Sequence, residues 1–266
     1  MRKGLLAAAA LAALASGTAS ATDGYFSHGY GMKAKGRGGA STAMTDDAFG
    51  GAVNPATMVF TGSRAEIGID WFRPNRSASR VGSAGGAGYL DGSAEGNETS
   101  DFFIPELAYN HMLRPDLSLG VTVYGNGGMN TDYPSGQLDQ GVCQMQPPNG
   151  QPANLLCGMG NLGVDLSQLI IAPTAAMKIG RGSQSLGVSP LIAYQRFKAY
   201  GIQPFAQISS DPANLSNQGY DDAWGFGVRI GWYAQLSPAV SVGAAYSSKI
   251  DMQEFKKYSG LFANHG

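Results

Sequence analysis

The sequence predicts an all-β protein, a transmembrane antiparallel β-barrel, and three observations carry that reading. Apolar residues recur with a period of two through stretch after stretch of the chain. The opposite face of those stretches is Gly, Ser, Ala and Thr with only scattered charge, which suits a closed wall with a lumen better than the charged outer face of a sandwich. Connectors alternate between very short and very long, as in barrels with tight periplasmic turns and extended outer loops.

The chain opens on Arg2 and Lys3, an apolar run from Leu5 to Ala15 and an Ala-x-Ala end at Ala19 and Ala21. Residues 1–21 therefore read as a secretory signal peptide, too short in its apolar run to span a bilayer. Of 18 basic and 19 acidic residues, losing Arg2 and Lys3 leaves 16 against 19. No basic block remains to hold a phosphate backbone, so nucleic acid is not expected as a partner. No second apolar run approaches the roughly 20 residues of a membrane helix.

Residues 22–62 are a different kind of chain. Glycines at 24, 29, 31, 36, 38, 39, 50, 51 and 62 and a scarcity of β-branched residues forbid a regular strand, and so loose a chain must be enclosed by something. Within it, STAMTDDAF is expected to make one helical turn with Ser41 as its cap. Pro55 lacks a backbone donor and holds Asn54 extended, so Asn54-Pro55 resists both strand and helix, while the Asn54 amide can bond nearby backbone.

From Arg64 the period changes to two. Ile67, Ile69 and Trp71 share one face opposite Glu66, Gly68 and Asp70, and residues 101–112 add a weaker strand. Leu117, Leu119, Val121 and Val123 follow, then Leu169 to Met177, Leu186 to Tyr194, and Val242 to Tyr246. The clearest stretch sets Trp224, Phe226, Val228, Ile230 and Trp232 against Gly225, Gly227, Arg229, Gly231 and Tyr233. Aromatics at strand ends suit interfacial girdles. The connectors at 114–116 and 237–239 are short, and those at 81–100, 129–166 and 199–222 are long. The strands are odd in number and the sequence stops after one of them, so further C-terminal barrel strands are expected beyond residue 266.

Cys143 and Cys157 flank a proline- and asparagine-rich stretch, and after export a disulfide clipping that loop is expected. None of His28, His111 and His265 lies there to make a metal site, and no phosphate loop, zinc-protease helix or nucleophile elbow occurs elsewhere. No enzyme activity, cofactor or metal is expected. Asp46-Asp47 reads as a solvated acidic turn rather than a calcium site, and His111 as an interfacial residue.

Four stretches, GRGGASTAMTDDAFGGAVNPATM (36–58), AEIGIDWFRP (65–74), LSLGVTVYGNGGMNTDY (117–133) and LSPAVSVGAAYSSKIDM (236–252), give the chain a resemblance to the outer-membrane long-chain fatty-acid transporter family, which includes channels for aromatic hydrocarbons. The resemblance implies a fourteen-stranded barrel plugged by an N-terminal hatch, here residues 22–62, which carries the motif matched by Asn54, Pro55 and Ala56. It implies an inward kink in the third barrel strand that opens the wall sideways, with Gly125, Gly127 and Gly128 suited to the distortion. Residues 129–166 take the place of the family's ligand-capturing outer loop, although this version is polar apart from Leu155, Leu156, Met159 and Leu162.

The implied function is passive passage of hydrophobic compounds, fatty acids or aromatic hydrocarbons, through a bacterial outer membrane, with lateral release. A structural or adhesin-like barrel is the alternative. Phe26, Tyr30, Met44, Phe49, Met58 and Phe60 are candidate ligand contacts that could equally pack the hatch against the wall. Arg229 either meets a ligand carboxylate or pairs with Asp46 or Asp47. Expected partners are the ligand, outer-membrane lipid and lipopolysaccharide, and the barrel assembly machinery, with the protein a monomer.

Overall fold

The computed structural model describes residues 26–82, 91–137 and 152–262. The proposed signal peptide and Cys143 lie outside them. The main sheet is an antiparallel meander of β1 (Arg64–Phe72), β4 (Phe102–Arg114), β5 (Leu117–Tyr133), β6 (Leu162–Ile179), β7 (Gln184–Tyr200) and β8 (Asp221–Ser237), forming a half-barrel. Both β9 (Val240–Ser247) and β10 (Asp251–Met252) pair with β8, one below the other. A separate hairpin, β2 (Ser77–Arg80) with β3 (Gly92–Glu95), stands in the connector between β1 and β4.

Every strand expected from alternation is present, and several run further. β5 continues to Tyr133 and β6 begins at Leu162, paired from Met129↔Leu166 to Tyr133↔Leu162. The outer loop is thus narrower than 129–166, because Met129 to Tyr133 find ladder partners in a stretch that looked merely polar. The turns at Pro115-Asp116 and Pro238-Ala239 are tight, as expected, and a third tight turn joins β6 to β7, where Gly180 and Gly182 take φ of 61° and 84°.

Side chains divide by face, apolar outside and polar inside. Ile67 is 82% exposed and Phe226 63%, and Trp71, Phe103, Ile230 and Tyr246 are exposed with them, all on the convex face. Exposed apolar rows of this extent are stable only against lipid or another apolar surface. On the concave side lie Glu106, Asn110, Ser118, Thr122, Gln168, Thr174, Ser185 and Ser189, all buried. They are buried because residues 26–63 fill that side.

That inner segment contains a short helix α1 (Met32–Gly36) and 3-10 turns at Phe49–Ala52 and Pro55–Phe60. No helical turn spans STAMTDDAF. Ser41 Oγ donates to its neighbour Gly39 O (3.3 Å) rather than capping, and the turn starts later, where Asp47 Oδ1 accepts from Phe49 N at 3.0 Å. At the long-loop end, Phe255, Tyr258 and Phe262 fold onto Phe197, closing an apolar cluster with Leu166 and Ala199.

Candidate functional site

The inner segment is seated by Asn54. Its Nδ2 donates to Thr42 O at 2.8 Å and to Trp232 O at 2.9 Å, while its Oδ1 accepts from Ala56 N at 3.1 Å, starting the Pro55–Phe60 turn. Ala56 O accepts from Ser185 Oγ at 2.6 Å. The floor of this seat is glycine: a side chain on Gly231 would overlap the Asn54 amide, one on Gly187 would overlap Pro55 and Ala56, and one on Gly243 would crowd Thr42. Gly187 and Gly231 face each other across the β7–β8 ladder, so the small inward residues noted in the sequence form one hollow. Met58 fills the adjacent space with Val59 and Ala176, and its carbonyl accepts from Asn110 Nδ2 at 2.8 Å.

Charge fixes the other side. Lys35 of α1 makes ion pairs with Asp70 of β1 and with Glu106 of β4, whose second carboxylate oxygen accepts from Gly31 N at 3.0 Å. Glu106 is 1% exposed, so these donors are what makes its burial tolerable. Glu66 Oε2 likewise accepts from Ala48 N at 2.7 Å. Asp46 is held by Arg37 (2.8 Å), whose guanidinium draws the Asp46 carboxyl below its ordinary range. Burial lifts Asp47 above that range, with Asp46 and Glu66 adding to the lift and the Phe49 N–H opposing it. Ionised Asp47 therefore works against the folded segment at neutral pH, and the penalty fades as pH falls through the raised value. Asp47→Asn, which keeps the bond to Phe49, is expected to stabilise the segment above that pH and to be neutral below it, read from unfolding midpoints at two pH values.

Between the segment and the wall is a cavity of about 890 Å³, lined on one side by Phe26, Tyr30 and Val53 and on the other by Asn126, Gln168, Ile170, Leu191, Gln195 and Arg229. Tyr30 lies against Tyr124 with ring centroids 4.4 Å apart. Arg229 meets neither Asp46 nor Asp47. Its Nη1 donates to Gly51 O (2.9 Å) and Tyr124 Oη (3.3 Å), and its Nε to Ser247 Oγ (2.6 Å). Asp46 is already engaged by Arg37 nine residues away, and the carbonyl of the Phe49–Ala52 turn is the nearer acceptor. No acid is among the residues lining the cavity, which also include His28 and Lys249.

The cavity reaches a split in the wall. The β4–β5 ladder ends at Glu106↔Tyr124, yet β4 goes on pairing with β1 to Phe102 and β5 with β6 to Tyr133. Pro105 has no N–H to continue the ladder, and β5 carries a bulge at Asn126, where the register shifts between Gly125 and Gly127. Ile104 leans over Gly125, leaving no room there for a side chain. Above the split the wall closes again: Arg76 Nη1 donates to Asn130 O at 2.6 Å, and Thr99 Oγ1 to Asp132 at 3.1 Å. Within it, Phe26 bridges to Gly127 and Ser27 N donates to Asn126 O at 3.3 Å.

The proposed contacts thus fall into two groups. Phe26, Tyr30 and Arg229 line the cavity; Phe49, Met58 and Phe60 do not, and pack against Ala108, Ala176 and Tyr233 respectively, while Met44 is 44% exposed. Gly125 and Gly127 flank the bulge, and Gly128 follows it, where an added side chain would crowd Leu166 O of β6. Cys157 is disulfide-bonded. Sequence reasoning missed Lys35, Glu106, Asn126 and Gln168. Glu106, an acid on the inward face between Ile104 and Ala108, was the available signal for an internal partner.

A half-barrel whose concave side is filled by an N-terminal segment and whose wall is split at a bulge is a plugged antiparallel barrel fold. That is the fold of the solved FadL and TodX channels. A TodX monoaromatic hydrocarbon channel in a deltaS2S3 mutant form superimposes with a TM-score of 0.61 at 18% identity, covering 84% of this chain and 56% of that one. The CymD monoaromatic hydrocarbon channel gives 0.53 at 19%, covering 84% and 53%. A Pseudomonas aeruginosa FadL homologue gives 0.55 at 14%, covering 85% and 53%. The chain spans a little over half the length of these structures. No family model matches the sequence, and no curated protein does.

Proposed function

We propose that the protein conducts small hydrophobic compounds passively across a bacterial outer membrane, holding them between hatch and wall and releasing them sideways through the β4–β5 split. The cavity that ends at the split carries this reading, because a ligand reaching Phe26 and Asn126 has an apolar exterior on the other side of the wall. Burial worth about 25 cal/mol per Å² holds such a ligand without any coupled energy source. The neighbours described as hydrocarbon channels support the same class of cargo.

Within that class the lining favours an acid-headed amphiphile over a neutral arene. Arg229 and Lys249 face a space lined by no carboxylate. Among the described residues Arg229 Nη2 has no partner, which leaves it for an incoming acceptor. Arg229→Met is expected to weaken oleate binding roughly tenfold to a hundredfold, the value of about 1.5–3 kcal/mol for a charge-assisted bond. Toluene binding should be unchanged. Calorimetric titration with the two ligands checks this, and equal loss for both would place Arg229 in hatch support alone. The membrane reading has its own test: Ile230→Lys on the convex face should cost up to about 2–4 kcal/mol of insertion free energy in lipid vesicles, the range for a cation near the bilayer midplane.

A further inference from the structure

The hatch residues that cover the split are fastened to both of its lips. On the β5 lip, Ser27 N donates to Asn126 O, Tyr30 Oη donates to Asn126 Oδ1 at 2.7 Å, and Asn126 Nδ2 passes the contact on to Gln168. On the β4 lip, Gly31 N and Lys35 Nζ both engage Glu106, the last β4 residue paired with β5. The chain between these anchors turns at Gly29 and Gly31, with φ of 99° and 81°, and Gly39 N closes α1 on Ala34 O at 2.8 Å.

We infer that Lys35 is the positioning residue that holds residues 26–31 over the split. The inference rests on the passage route proposed above, but its geometry is independent of any ligand. One ammonium faces two carboxylates, Asp70 and Glu106, so removing it leaves like charges confronting each other beside Gly31. The rest of the hatch is anchored elsewhere, through Asn54 to Trp232 and Ala56 to Ser185, with Asn54 and Met58 fully buried while Phe26 is 44% exposed. Loss of the latch therefore frees the closure and leaves the seat in place, a local opening rather than ejection of the whole hatch.

The test uses the full chain in lipid vesicles with its disulfide intact. Single cysteines Ser27→Cys and Thr57→Cys are each placed in the natural and the Lys35→Met backgrounds and labelled with a water-soluble maleimide. The expected result is a rise of at least about tenfold in labelling at position 27 with no change at position 57. Lys35→Arg should restore protection, and Glu106→Gln, which keeps an acceptor for Gly31, should give a smaller rise in the same direction. Equal rises at both positions, or none at position 27, would overturn the inference. Passage of oleate is measured on the same preparations: if the unsubstituted protein passes none, the transport reading fails while the labelling still decides the latch.

Discussion

Asn54→Ala is expected to release the hatch from the floor of the wall while the strands stay paired. The substitution removes three side-chain bonds at a site with no exposure, leaving the carbonyls of Thr42 and Trp232 and the N–H of Ala56 to find other partners. The two carbonyls left unmatched cost about 1–3 kcal/mol each, and the lost bond to Ala56 N, which is the cap, about 1 kcal/mol, so hatch docking should weaken by about 3–7 kcal/mol. The same outcome should follow from the opposite surface with Gly231→Ala, whose methyl takes the space of the Asn54 amide oxygen. Limited proteolysis near residues 40–60 reads the effect, with barrel mobility on unheated gels reporting the strands. Protected hatches in both variants would show that the Pro55–Phe60 turn docks by apolar packing of Met58 and Val59 alone.

The second large effect belongs to Lys35. Removing one member of a buried pair costs about 3–5 kcal/mol because the other charge stays behind. Lys35→Met strands Glu106, which is 1% exposed, and Asp70 beside it. Glu106→Leu strands Lys35 less completely, since Asp70 remains. The double variant should therefore be more stable than the sum of the single losses, with a coupling of about 1–3 kcal/mol in a double-mutant cycle of unfolding free energies. Additivity would mean that the two side chains adjoin without stabilising each other.

The strands were legible because each exposed apolar row repeats every second residue, as Trp224, Phe226, Val228 and Ile230 do along β8. The opposing glycines were legible as small, but not as a seat for Asn54, since the residues that meet there are 178 positions apart and no local pattern links them. Asn54-Pro55 could be read as a segment that refuses to join the sheet, and its side-chain bonds to backbone follow from that refusal. The distortion near Gly125 to Gly128 was legible as glycine-rich chain. What makes it a split is Pro105 on the neighbouring strand, and strand pairing across a turn cannot be read from either stretch by itself. Arg229 lies on the inward face as read, but of its two expected partners the hatch acids are excluded, because Asp46 is captured locally by Arg37 and Arg229 bonds Gly51 O instead. By composition the polar stretch Met129 to Tyr133 reads as loop, and its strand character comes from pairing with β6 rather than from its own alternation.

Lateral release requires the ligand to leave through the β4–β5 split. Phe26 of the inner segment and Gly127 of the β5 lip are bridge partners, within the span a disulfide can close, so Phe26→Cys/Gly127→Cys can lock the closure. In vesicles carrying the locked protein, oleate passage should stop under oxidation and return when the lock is reduced, with toluene following the same pattern if it shares the route. Undiminished passage through a fully crosslinked protein would contradict the lateral path and send the ligand down the lumen instead.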